Sequence, residues 1–209
     1  KGYSDKNKRF RLFTFSNLFI PKREVKDDRI LIQSSRVGMI VSFLPEESIT
    51  PFIHGLFNAR KFGIGDRISQ VDFRVVSVEA LPEPLFSNSM NISLLSPMLV
   101  SKLFPGEKYA KYLSSETSGY GEMVIRNLEE KWSIFTRNPL PAGGKTFELL
   151  SPVRKKGVLI KSGTPMETKL IGYQFRFRIT GPPELLRLGY YTGFGEKNSM
   201  GFGCGEVNV

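Results

Sequence analysis

The order of its elements predicts an α+β protein built from two tandem ferredoxin-like domains, the first lacking its opening strand and helix. Three observations support this. Strand-like segments rich in aromatic and β-branched residues outnumber helical ones. From Asn91 onward the elements run strand, helix, strand, strand, helix, strand, which is the β-α-β-β-α-β pattern. The first half runs strand, strand or hairpin, helix, strand, the same pattern without its start. One large α+β domain is the alternative, and Pro82 and Pro84 argue against it by marking a linker. The expected boundaries are residues 1–81, a linker at 82–90, and residues 91–209.

In chain order, RFRLFTFSNLFI (Arg9–Ile20) reads as a strand with an extension. RILIQSS (Arg29–Ser35) and VGMIVSFL (Val37–Leu44) read as a hairpin pair. Ile49, Phe52, Ile53, Leu56 and Phe57 then follow the spacing of one helical face, with Ser48 as N-cap and Pro51 in the first turn. VDFRVVSVEAL (Val71–Leu81) is a strand, and Asn91 opens another. Pro105–Thr117 is helical in composition, and Ile125, Leu128, Trp132 and Phe135 form a second helical stripe. FELLSPVRKKGVLI (Phe147–Ile160) reads as a hairpin with Arg154, Lys155, Lys156 and Gly157 at its tip. In GYQFRFRIT, Tyr173, Phe175, Phe177 and Ile179 alternate with Gln174, Arg176 and Arg178, so the arginines share one strand face. A short helix starts behind Pro182 and Pro183, Gly193 ends it, and a last strand lies near Phe202–Val207.

The composition narrows the partner. The 209 residues include 30 Lys and Arg against 20 Asp and Glu, a net charge of +10 that favours a polyanion or an anionic surface. No apolar run is long enough to span a membrane and no secretory signal is visible. Cys204 is the only cysteine, which suits a reducing compartment and predicts a cytoplasmic protein. The chain opens on Lys1 rather than Met, so the natural N-terminus is expected to lie ahead of this numbering.

Several chemistries are disfavoured. One histidine and one cysteine cannot build a His/Cys zinc cluster, and no close-spaced carboxylate motif offers a magnesium site, so no metal or cofactor is expected. The same histidine, His54, lies with Thr50 and Asn58 on the polar side of its helix and reads as a surface residue. The phosphate-binding GxxxxGK[ST] pattern is absent, and GFGEKNSMGFGCG precedes a strand instead of a helix, which argues against a dinucleotide site.

That glycine-rich stretch, GYYTGFGEKNSMGFGCGEV from Gly189 to Val207, holds six glycines. Each costs ~0.5–1 kcal/mol relative to alanine in ordered structure. Two readings remain open. Gly193, Gly195, Gly201 and Gly203 let a nucleic-acid backbone approach main-chain N–H groups, with Lys197, Asn198 and Ser199 as further donors, or they pack a loop tightly across a sheet. SMGFGCGEV echoes the glycine–aromatic strand of RNA-recognition domains, which share the ferredoxin-like order. Further basic residues suited to a polyanion are Lys6, Lys8, Arg9 and Arg11, Lys22 and Arg23, Arg154, Lys155 and Lys156, and the Arg176/Arg178 pair. Two arginines on one strand face repel each other unless something anionic answers them.

From Gly193 to Gly203 the chain resembles the CRISPR-associated repeat-cleaving endoribonucleases, the family of the sixth Cas protein within the RAMP superfamily, whose C-terminal signature runs G-x-G-E-K-N-S-x-G-F-G. RLFTFSNLF (Arg11–Phe19) is similar to the family's second strand. The resemblance implies cleavage of precursor CRISPR transcripts without metal, by general acid–base transesterification leaving a 2′,3′-cyclic phosphate and a 5′-hydroxyl. It implies repeat RNA as the partner, with other CRISPR-associated proteins and a second copy of the chain as further partners and no membrane. It places the main catalytic histidine upstream of Lys1. Arg11 aligns where some members carry a catalytic lysine, and its guanidinium suits phosphorane oxygens, although it cannot act as a base. The alternative is a non-catalytic subunit that holds repeat or guide RNA in an interference complex.

Overall fold

The computed structural model describes residues 3–5, 8–27, 29–44, 49–59, 61–65, 69–161 and 163–208. Lys6 and Ser48 lie outside them, and Lys8 and Arg9 are described in backbone only.

In the first half every ladder has two strands. β1 (Tyr3–Asp5) pairs with β2 (Lys8–Phe10). Next come β3 (Phe13–Phe15), a hairpin of β4 (Arg23–Lys26) and β5 (Arg29–Ile32), and β6 (Val41–Phe43), which returns to pair with β3. Helix α1 (Ile49–Asn58) and the hairpin of β7 (Phe62–Gly65) and β8 (Gln70–Phe73) complete it. The expected stripe of α1 is half-turned to the protein: Ile53 and Leu56 are half-buried, while Phe52 stays exposed with its ring edge on Phe43, 5.4 Å between centroids. Among the described residues up to 88, only Leu12, Thr14, Ser16 and Ile20 are fully buried.

The second half carries the main core. Its elements are β9 (Ser89–Leu94), the short pair β10 (Ser101–Lys102) and β11 (Lys111–Tyr112), α2 (Tyr120–Thr136), β12 (Thr146–Leu149), the long hairpin β13 (Arg154–Ile160) and β14 (Thr168–Gln174), β15 (Arg176–Thr180), α3 (Pro183–Thr192) and β16 (Gly205–Val207). Four strands form one antiparallel sheet in the order β12-β15-β9-β16. Strand alternation sends Met90, Ile92, Leu94, Phe177 and Ile179 to one face, where Val124 and Leu128 of α2 and Leu185, Leu186 and Leu188 of α3 cover them. The opposite face stays open and presents Asn91, Ser93, Glu148, Arg176 and Arg178. The β13–β14 hairpin branches off between β12 and β15, and its Leu170, Val158 and Ile160 pack on Leu99 and Phe202.

Several sequence expectations need correction. Arg29–Ser35 does not pair with Val37–Leu44: β5 turns back on β4 through a tight connection that includes Asp27 at φ 55°. Pro105–Thr117 is not a helix, because Pro105 and Gly106 (φ 80°) make a turn closed by the Glu107 N–H donating to Phe104 O (3.1 Å). Arg154, Lys155 and Lys156 are not at a hairpin tip. They begin β13, opposite Gln174, Tyr173 and Gly172, and the tip lies beyond Ile160. The Val71–Leu81 strand is paired only as far as Phe73, and β9 starts at Ser89, inside the expected linker.

That linker is clamped. Glu83 accepts from Arg187 Nε at 2.8 Å, Arg187 stacks over the Tyr191 ring, and Phe86 meets the Tyr190 and Tyr191 rings. Among the described residues no helix is long and apolar enough to cross a membrane.

Phe177 is 0 % exposed and touches the rings of Phe147, Phe175 and Phe194. Phe177→Ala is expected to cost about 3–5 kcal/mol in a chemical unfolding titration, the usual range for an aromatic cavity in a packed core. The exposed Val25→Ala should stay within about 0.5 kcal/mol of the parent.

Candidate functional site

Helix α3 ends at Thr192, and the chain from Gly193 to Cys204 folds back beneath α2 before entering β16. The loop is held from inside. Lys131 of α2, 2 % exposed, donates from Nζ to Gly193 O (2.6 Å), Gly195 O (3.0 Å) and Asn198 Oδ1 (2.7 Å). Burial pushes the Lys131 pKa down to about 7, and the Glu196 carboxylate pulls it back up. Three oxygen acceptors match the three protons of the ammonium form.

Asn198 continues the network, its Nδ2 donating to Phe194 O (3.1 Å) and Phe202 O (2.9 Å). Thr14 of β3 donates to that same Phe202 oxygen at 3.0 Å, which fixes the N-terminal strand onto the loop. The loop is also bound to the segment after β9. Phe194 N–H donates to Gly203 O, Gly203 N–H to Pro97 O and Glu196 N–H to Leu99 O, at 2.7–2.8 Å. Phe194 and Phe202 are both buried.

Between the two readings of the glycines, the close approach found here lies within the protein. Gly195 and Gly203 each have φ 71°, and a Cβ would overlap Leu99 O at one and Phe194 O at the other. Gly193 sits against Asn198 and Thr14, and Gly201 against the Phe15 ring. Asn198, expected as an outward donor, uses its amide internally. Lys197, Ser199 and Met200 remain at the loop's outer edge, Lys197 at φ 56° and, among the described residues, with no ion pair of its side chain.

The other basic residues divide by partner. Arg178 is answered by Glu148 of β12 at 3.2 Å and by Asn91 Oδ1 at 3.1 Å, which supplies the anion that the paired arginines required. Among the described residues Arg176 has no such side-chain partner, and it is exposed. Arg154, Lys155 and Lys156 are exposed along β13. Arg11 is exposed two residues ahead of β3. Arg23 donates to Ile20 O at 2.9 Å, and Lys22 lies beside it at the base of the β4–β5 hairpin, on a ladder separate from the loop. His54 is exposed on α1, and among the described residues no three His, Cys, Asp or Glu side chains converge. Burial raises the Cys204 thiol to about 12, which keeps it protonated.

Sequence reasoning missed Lys131. A signal existed: it falls three residues after Leu128 and seven after Val124, on the buried stripe of α2.

These features define an architecture: an antiparallel sheet backed by two helices, a caged glycine loop, and an N-terminal strand docked on that loop. The fold is shared with solved Cas6-related and RAMP proteins. A solved Cas6-related protein of Pyrococcus furiosus superposes with a TM-score of 0.83 at 26 % identity, over 94 % of this chain and 78 % of that one. A solved RAMP protein binding different RNA substrates gives 0.80 at 25 % identity, over 95 % and 80 %. Within that class, the model for the N-terminal part of CRISPR-associated protein Cas6 matches residues 3–79, and the model for its C-terminal part matches residues 81–207. The CRISPR-associated endoribonuclease Cas6 1 of Methanocaldococcus jannaschii is 30 % identical over 96 % of this chain and 75 % of its own length. The chain belongs to the Cas6 family.

Lys131→Met removes the ammonium and strands three buried oxygens, each worth about 1–3 kcal/mol when left unpaired. A loss of about 3 kcal/mol or more is expected in the unfolding midpoint; a loss below about 1 kcal/mol would show that the cage is dispensable. Gly203→Ala, strained by φ and overlapping a carbonyl, should destabilise the protein with no RNA present, as a thermal melt would register.

Proposed function

We propose that this chain binds CRISPR repeat RNA and cuts it without a metal ion. The ribose 2′-hydroxyl attacks the adjacent phosphate, the bond to the 5′-oxygen of the next nucleotide breaks, and a 2′,3′-cyclic phosphate and a 5′-hydroxyl remain. The observation that carries this reading is Cas6 membership over nearly the whole chain, with a relative named an endoribonuclease. The net charge of +10 supplies the attraction for a polyanion.

In this reading residues 1–81 and 91–209 are two copies of one ferredoxin-like unit. The RNA follows the open sheet face and the outer edge of the glycine loop, with Arg176 and Lys197 as cations that have no ion pair among the described residues and Arg154, Lys155 and Lys156 as further cations on β13. Arg11 stabilises the phosphorane and takes no proton. His54 is given no part as base or acid in this reading; it is exposed on the polar side of α1.

The second reading is a non-catalytic subunit that holds repeat or guide RNA. Similarity to a solved RAMP protein binding different RNA substrates favours it. Incubation of the natural full-length protein with repeat RNA in excess EDTA separates the two. Cutting that persists, with a 5′ fragment one water lighter than the linear phosphate, establishes the enzyme; binding without cutting, whether or not magnesium is restored, establishes the subunit. Cutting that is lost on chelation and returns with magnesium would overturn the metal-free mechanism.

His54→Ala should leave the cleavage rate nearly unchanged, whereas loss of a general acid or base costs about a hundredfold or more. Arg176→Ala should flatten the slope of log K against log salt by ~0.7. Arg178→Ala should flatten it less, because Glu148 already holds that guanidinium.

A further inference from the structure

We infer that the β10–β11 hairpin is a stacking platform for unpaired bases of the bound RNA, with Phe104, Tyr109 and Tyr112 as ring surfaces and Lys102 and Lys108 as their phosphate contacts. The inference rests on the RNA-binding reading and extends it to a surface outside the sheet face and the glycine loop.

The base of the hairpin is rigid. Leu99 and Val100 are buried directly before it, and Leu113 N–H donates to Val100 O at 2.9 Å directly after it. Its first residue, Ser101, donates from both N–H (2.8 Å) and Oγ (2.7 Å) to Glu196 Oε1, so the hairpin is tied to the glycine loop one residue ahead of Lys197. Its far end is open: Leu103 is 60 % exposed, Phe104 36 % and Tyr109 72 %, while Tyr112, opposite Ser101 at the base, is 39 % exposed. Scattered exposed apolar residues need no explanation, but here they are organised. Lys102 Nζ lies 5.7 Å from the Phe104 ring centroid and Lys108 Nζ 5.4 Å from that of Tyr109, so two rings each carry a cation.

A ring beside a free ammonium on an anchored arm matches one nucleotide at a time: the ring takes the base face and the ammonium takes the phosphate. The segment from Ser101 to Tyr112 holds three lysines against one glutamate, so its charge complements a polyanion. That glutamate, Glu107, pairs with Lys111 at 2.6 Å in an exposed bridge and leaves Lys102 and Lys108 available. Stacking needs no hydrogen-bond readout, so the platform would accept any unpaired base and would reject a closed duplex.

The test uses repeat RNA carrying a single 2-aminopurine, whose fluorescence is quenched by stacking, and the full chain with Phe104→Leu or Tyr109→Leu. Leucine keeps apolar bulk and removes the ring, and both sites are on the surface, so the melting temperature should match the parent. The expected result is loss of quenching and a roughly five- to hundredfold drop in affinity for each lost stack, with the salt slope unchanged. Lys102→Gln with Lys108→Gln should instead flatten the slope by ~0.7 per phosphate contact. Parental quenching and affinity in both ring variants would overturn the platform while leaving the RNA-binding reading intact. A parent protein that binds no repeat RNA overturns both. Ring variants that keep RNA affinity but lose self-association would reassign the hairpin to a contact between two copies of this chain.

Discussion

The Lys131 ammonium donates three hydrogen bonds from inside the protein, and each of them fixes a different part of the C-terminal loop. Gly193 O is the end of α3, Gly195 O is the first crossing of the loop, and Asn198 Oδ1 belongs to the side chain that carries the network onward. Asn198 passes it to Phe194 and Phe202, and Phe202 O receives Thr14 from β3. A helix of the C-terminal half, the loop, and a strand of the N-terminal half are therefore joined through one buried cation. Without that donor several buried oxygens would face one another, so the lysine fits a buried position of α2 that an apolar side chain would leave unsatisfied.

The glycines follow from this cage. A loop whose carbonyls converge on one ammonium must turn sharply, and it does so while lying against the Pro97–Leu99 backbone. Left-handed conformations and direct backbone contact both exclude a Cβ at Gly195 and Gly203. Tight packing and surface recognition are not competing uses of this loop. The inner bonds hold a rigid rim, and the rim is what sets the positions of Lys197 and Ser199, while Glu196 reaches out to hold the β10–β11 hairpin.

Charge is distributed by the same economy of partners. Glu148 answers Arg178 across the sheet, so Arg176 is the residue of that pair left to solvent. Arg187, Glu83 and Tyr191 join the connecting segment to α3, and the hydrogen bond from Arg187 holds the Glu83 carboxyl below its usual range. Residues that look equivalent in a list of basic side chains thus separate into structural and free ones.

The sequence by itself determined the α2 stripe, the start and end of α3 at its prolines and Gly193, the alternation of β15, and the glycine signature that carries the family resemblance, because each is a local pattern with its own period or spacing. It left strand partners undecided: alternation reports which face is buried and not what covers it, so β5 was as free to pair with β6 as with β4. It misread Pro105–Thr117, where helix-favouring composition yields to a Pro-Gly turn and a two-residue ladder. The role of Lys131 was decided only in the tertiary structure. A lysine on a helical stripe is ordinarily a surface residue, and this one becomes the centre of the site because folding brings two carbonyls and an amide oxygen to it from more than sixty residues away.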